Sequence, residues 1–178
     1  LPGSMVNGFN CSYMTVSQSE ELLTQKVGAY VLTIDTRNNG QESITAKQAG
    51  LSYDSDGSVD KLIRNQDRFT WFLAFNQHRN YEVSSSIKYD EQKTEAAISE
   101  LKCMQQENMT EPSDAHIEEK DDKFVIVPEQ EGTALKPEKT SQDIIDALVT
   151  GRTPVDLEAD GCYKEPKVYQ SDETLTKN

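Results

Sequence analysis

Long apolar runs are missing from this 178-residue chain. No stretch approaches the roughly 18 to 20 residues needed to span a bilayer, and no charged-then-apolar signal region opens it. These residues hold no spanning segment, and the expectation is that a membrane anchor precedes Leu1. Basic residues are also scarce, with 18 Lys plus Arg against 31 Asp plus Glu, a formal charge of −13. That balance repels nucleic-acid phosphates and anionic lipid head groups, so no nucleic-acid partner is expected. The charge is uneven: Glu107 to Glu131 holds nine acidic residues and two lysines, whereas Lys61 to Lys88 holds five basic and two acidic. A ligand-facing surface is better sought in the second stretch.

Groups that do chemistry are equally few. His78 and His116 are the only histidines, which leaves little to activate a nucleophile. Cys11, Cys103 and Cys162 are too scattered for a disulfide framework, and none lies in a CxxC pair that would hold zinc. For Cys103 and Cys162 two alternatives stay open, a single bridge or two inert buried thiols. The run Asp54-Ser55-Asp56-Gly57-Ser58-Val59-Asp60 resembles half a calcium loop, but its glycine falls too early and the distal glutamate is missing. It reads as a solvated turn with a helix cap. No glycine-rich phosphate loop is present. The expectation is no catalytic residue, no metal and no cofactor.

What is there is periodic. Hydrophobic content of 35% is lean, yet it clusters at the spacings of buried faces, which predicts folded structure. Thr15 or Ser17 caps a helix bearing Leu22, Leu23 and Val27 that ends at Gly28. Tyr30 to Asp35 alternates as a strand, Asn38-Asn39-Gly40 reverses it, and Glu42 to Thr45 returns. Ala46 to Tyr53 gives a helical turn and a short strand, and Ser58 caps a helix through Arg64. Tyr81 to Tyr89 reads as a strand, and Asp90 caps a helix with Ala97, Ile98 and Leu101. Ala115 to Glu119 and Phe124 to Val127 form a second hairpin around Lys120-Asp121-Asp122. Pro137 opens a helix carrying Ile144, Ile145 and Leu148, ended by Gly151 and followed by a strand from Pro154 to Leu157. Thr15 to Ile34 and Thr140 to Leu157 thus share one plan, helix, glycine stop, strand. The predicted fold is α+β, small mixed sheets and β-hairpins with amphipathic helices packed on one face.

For binding, the aromatic-dense segment from Arg68 to Arg79 stands out. An aromatic face such as Trp71 with Phe75 stacks on a sugar, while Asn76, Gln77 and Arg79 bond hydroxyls or carboxylates. The competing reading is packing alone, because Trp71 and Phe75 fall four apart as core pairs on a helix do.

Several motifs, in order, carry a family resemblance. They are Lys88-Tyr89-Asp90-Glu91, Pro112-Ser113-Asp114-Ala115, Phe124-Val125-Ile126-Val127-Pro128-Glu129 with Gly132 and Leu135, Val155-Asp156-Leu157-Glu158, and Cys162-Tyr163-Lys164-Glu165-Pro166. Together they resemble the peptidoglycan-binding domain that precedes the catalytic domain of YkuD-type L,D-transpeptidases and also occurs in VanW-type proteins. The resemblance implies a non-catalytic, extracytoplasmic, cell-wall-facing module with peptidoglycan and a downstream transpeptidase domain as partners. The catalytic turn of those enzymes is Ser-x-Gly-Cys; here Asp160 stands two before Cys162, so Cys162 does not match that nucleophile. The expected division is an N-terminal helix and hairpin over 1–46, the binding domain over 47–169 and a linker over 170–178. The alternative function is a structural spacer or docking domain that binds no wall polymer.

Overall fold

The computed structural model describes residues 4–6, 9–10, 14–54, 79–81 and 87–172. Strands β1 (Ser4–Val6), β2 (Phe9–Asn10) and β6 (Arg79–Tyr81) form a small sheet in which β1 pairs antiparallel with β2 and parallel with β6.

Helix α1 (Val16–Gly28) begins where Thr15 and Gln18 cap each other: the Thr15 oxygen accepts the Gln18 N–H at 3.2 Å, and the Gln18 side chain accepts the Thr15 N–H at 2.9 Å. This reciprocal box satisfies amides that have no partner within the helix. Strand β3 (Val31–Thr36) follows and pairs antiparallel with β4 (Gly40–Thr45). The reversal uses Asn38 and Asn39 at φ 64° and 58°, a region asparagine tolerates better than most residues. Register sets Leu32 opposite Ile44, so the buried residues Leu32, Ile34 and Ile44 share one face.

A second capping box, Thr45 with Gln48, starts the short helix α2 (Ala46–Ala49). Strand β5 (Ser52–Tyr53) pairs with β7 (Ile87–Lys88). Of the expected 81–89 strand, Tyr81 ends β6, 82–86 lie outside the described residues, and Ile87–Lys88 make β7. Asp90 then caps α3 (Glu91–Ser99) by accepting the Lys93 N–H, and the buried Thr94 hydroxyl donates to Ala49 O at 2.9 Å. Two 3-10 turns follow; the first is held by the Glu42 carboxylate, which accepts the N–H groups of Lys102 and Cys103 at 2.7 and 2.9 Å.

The second hairpin, β8 (His116–Lys120) with β9 (Lys123–Val127), turns on Asp121 and Asp122, both at positive φ. Helix α4 (Pro137–Thr150) starts with proline, whose missing N–H costs nothing at the first position, and stops at Gly151 in the left-handed conformation. Strand β10 (Val155–Asp156) lies parallel to β3, with Val155 opposite Ile34. The two helix-strand units seen in the sequence, α1 with β3 and α4 with β10, therefore end side by side in one mixed sheet of order β10-β3-β4.

One face of that sheet is covered. Leu32, Ile34, Ile44 and Val155 meet Ala97 and Ile98 of α3, Ile144, Ala147 and Leu148 of α4, and Leu101, Leu135, Leu157 and Tyr163 in a single core cluster. Each large apolar side chain so buried contributes on the order of 1.5–3 kcal/mol against the cost of ordering the chain. The architecture is mixed α+β with small sheets, as expected. The proposed break between residues 46 and 47 falls inside α2, after its first residue, and residues on both sides of it, Ile44 and Ala49 among them, enter this core.

Candidate functional site

The Asn38-Asn39 turn and the start of the chain after β10 enclose a polar hollow of about 470 Å³, lined by Asp35, Arg37, Asn38, Asn39, Gln41, Asp156 and Glu158 among others. Asp35 and Gln41 face each other across the β3–β4 pair, and the Gln41 amide donates to Asp35 Oδ1 at 2.8 Å. Asp156 Oδ1 accepts the N–H groups of Glu158 and Ala159 at 2.9 and 3.0 Å, which folds the chain back towards Arg37.

Arg37 is the wall of this hollow. Its Nε and Nη2 donate to the two oxygens of Glu158 at 2.6 and 2.7 Å, and Nη1 donates to the carbonyls of Gly132 and Glu131 at 2.8 and 3.2 Å. The guanidinium lies 4.2 Å over the Tyr163 ring, and the Tyr163 hydroxyl accepts the Arg37 backbone N–H at 2.7 Å. The bonds from Arg37 hold the Glu158 carboxyl below the usual carboxylate range. Arg37 is thus committed to structure, and the groups left to meet a ligand are the amides of Asn38, Asn39 and Gln41 and the carboxylates of Asp35 and Asp156.

A second, apolar hollow of about 150 Å³ lies between α1, β5, β7 and the end of α4, lined by Leu23, Val27, Tyr30, Leu51, Ile87 and Leu148 with others. The Tyr30 hydroxyl at its edge donates to Arg152 O at 2.7 Å, and burial pushes that phenol up to about 12.

The sequence-derived binding residues are placed differently. Trp71, Phe75, Asn76 and Gln77 lie outside the described residues; Arg79 opens β6, where its backbone pairs with Ser4. The half calcium loop is described only at Asp54, which pairs with Lys88. Among the described residues no group of three His, Cys, Asp or Glu side chains is placed to hold a metal ion. Nor is any described helix long and apolar enough to cross a membrane.

Cys103 and Cys162 are free thiols in the structure. Cys162 is fully buried and its Sγ donates to Asp143 Oδ2 at 3.2 Å, the oxygen that also accepts from Lys139 at 2.8 Å. Burial, then Asp143, pushes the Cys162 thiol up to about 11; burial, then Glu42, pushes Cys103 up to about 12. Each thiol faces a carboxylate where a thiol nucleophile needs a base such as histidine and an electropositive setting. His116 is elsewhere, on β8, with Nε2 3.0 Å from Glu118 and Nδ1 3.1 Å from Asp114 O.

The hollow was not found from the sequence. Asn38-Asn39-Gly40 signalled only a turn and Asp156-Leu157-Glu158 only a motif, because nothing local shows that the two meet.

These features define a small α+β module that presents polar depressions, with its described cysteines in settings unsuited to nucleophilic attack. The family described as "Putative peptidoglycan binding domain" matches residues 42–156, well over half of the chain, and the chain belongs to that family. The match runs from Glu42 on β4 to Asp156 on β10 and so encloses α2, α3, the second hairpin and α4. No curated protein and no solved structure matches the chain.

Proposed function

We propose that this chain is the peptidoglycan-contacting module of an extracytoplasmic, membrane-anchored protein, and that it holds a downstream L,D-transpeptidase domain against the wall. The family match carries the reading. The hollow between the Asn38-Asn39 turn and Asp156 supports it chemically. Peptidoglycan offers hydroxyls, acetamido groups, peptide amides and the ammonium of a diamino acid. Side-chain amides both donate and accept, and carboxylates accept from hydroxyl, amide and ammonium. With Asp35 and Asp156 in its lining, the hollow favours the amine end of a stem peptide over its carboxylates. The segment bearing Trp71, Phe75, Asn76, Gln77 and Arg79 is a second contact, through sugar stacking.

The test is retention by purified sacculi over a range of salt. Asp35→Ala with Gln41→Ala should weaken retention while leaving the far-UV circular dichroism unchanged. Trp71→Ala tests the second contact in the same assay. If the unmodified chain stays in the supernatant, direct wall binding is wrong; if the double variant is retained as well as the parent, the hollow is not the contact.

One observation favours the spacer reading. The chain after Tyr163 is tied down: Asp114 accepts the N–H groups of Lys167 and Val168, Ala115 donates to Val168 O, and Glu129 accepts the Gln170 N–H. A docked exit sets the direction of whatever follows, with or without wall binding. Replacing the module by an unrelated domain of similar length separates the two readings, since full rescue of transpeptidation favours the spacer.

A further inference from the structure

The β8–β9 hairpin stands clear of the core. All of β8 is exposed, and on β9 Phe124 is 79% and Val125 40% exposed. Two strands alone are marginal in water, and an uncovered apolar edge invites pairing.

The turn decides which backbone groups point outward. Asp121 and Asp122 make a two-residue turn between the partners Lys120 and Lys123, and such a turn makes the flanking residues the hydrogen-bonded pair. Bonding alternates from there, so Val125 and Val127 bond inward to β8 while Phe124 and Ile126 direct N–H and C=O outward. On β8 the same alternation turns Ala115, Ile117 and Glu119 outward, and Ala115 does donate its N–H to Val168 O at 3.0 Å. Among the described residues no strand lies along the outer edge of β9.

We infer that this edge pairs with the same edge of a second copy of the chain, giving a four-stranded antiparallel sheet, β8-β9-β9-β8, with its twofold axis at Val125. Antiparallel self-pairing about Val125 sets Phe124 opposite the second copy's Ile126 in both directions. Those are the residues whose backbone groups point outward, so each pair exchanges two hydrogen bonds. Side chains match in the same register: Phe124 and Ile126 of both copies share one face, and Val125 meets Val125 on the other.

Charge selects this edge. The same operation on β8 about Glu118 sets Glu118 on Glu118, like charge upon like, and leaves Lys120 opposite His116 with no carboxylate to pair with across the axis. Strand β9 carries a single charged residue, Lys123, which lands opposite Val127. The pairing closes rather than propagates, because a twofold contact consumes the edge of both partners and Pro128, without an N–H, ends the ladder. The net charge of −13 on each copy opposes association, so salt should tighten the dimer rather than loosen it.

Sedimentation of the 178-residue chain from about 10 µM to about 1 mM, in about 0.15 M salt, should show a monomer–dimer equilibrium that tightens with salt. Val125→Lys and Val125→Glu each place like charges across the axis and should each weaken the dimer by about tenfold or more. Mixing the two variants should restore it. Val125 is outside the core, so circular dichroism of both should match the parent. A chain monomeric throughout overturns the inference. So does a dimer indifferent to Val125→Lys, or variants that fail to recombine. Hydrogen exchange gives a second readout: the amides of Phe124 and Ile126 should slow with protein concentration. If they slow only when sacculi are added to monomer, the edge meets wall polymer and the dimer is wrong.

Discussion

Replacing Arg37 by alanine should destabilise the protein by about 3 kcal/mol. The side chain is 12% exposed while its partner Glu158 is 53% exposed, so the ion pair itself is screened and contributes about 0.5–1 kcal/mol. The two carbonyl bonds, to part-buried Gly132 and exposed Glu131, are screened by solvent and contribute about 0.5–1.5 kcal/mol each, the range of an ordinary hydrogen bond. Stacking on Tyr163 adds about 0.5 kcal/mol. For a domain of this size that sum lowers the melting temperature by roughly 6–12 °C. Urea unfolding followed by circular dichroism, with unchanged slope against denaturant, is the assay.

Two companion variants locate the effect. Arg37→Lys keeps the charge but loses the planar fork, and should recover only part of the loss. Glu158→Gln should cost less than Arg37→Ala, because the carbonyl bonds and the ring contact survive. The difference between Glu158→Gln and the parent must also depend on pH. Arg37 holds the folded-state carboxyl of Glu158 below its ordinary 4.5, so its stabilisation is present above that value and is lost as pH falls through the folded value. A loss of less than about 0.5 kcal/mol for Arg37→Ala would refute the clamp, since that is the range of an unremarkable surface substitution.

Two further predictions rest on other parts of the fold. With their thiols pushed up to about 11 and about 12, Cys162 and Cys103 should resist alkylation at neutral pH in the native protein and react in denaturant without any reductant; a mass two hydrogens lower before reduction would show a bridge instead. At Gly132, φ +67°, an added Cβ would press on Thr110 O and lie 2.8 Å from Glu111 C and Pro112 N, whereas at Gly151, φ +71°, it would meet open space. Gly132→Ala should therefore cost about 2–4 kcal/mol in urea unfolding and Gly151→Ala about 1 kcal/mol, and equal losses would show that the close approach at Gly132 is not what requires glycine.

Local structure was legible in the sequence wherever the signal is local. Thr15, Asp90 and Pro137 open the helices they were expected to open, and both hairpins turn where Asn38-Asn39 and Asp121-Asp122 supply residues tolerant of positive φ. Alternation in Tyr30 to Asp35 predicted one buried face, and Leu32 and Ile34 form it. Periodicity fixes which face a strand buries but not which strand lies beside it. The parallel pairing of β10 with β3, about 120 residues away in sequence, was accordingly not legible, although the shared helix-strand plan of the two segments was.

The candidate site fell into that same gap. A lone arginine before two asparagines reads as a solvated turn, and its partners Glu131, Gly132, Glu158 and Tyr163 lie 94 to 126 residues further on. The hollow exists only because β10 returns beside β3 and brings Asp156 and Glu158 to the turn after Asp35. Its placement also bears on how a ligand would be felt. Arg37 joins the hollow to the Gly132 loop, and Gly132 leads through buried Leu135 into α4, so the proposed contact surface and the core share one set of bonds. Wall contact at Asp35 and Gln41 would therefore stabilise the whole module by linkage, and sacculus fragments should raise its melting temperature in the parent and not in the Asp35→Ala, Gln41→Ala variant.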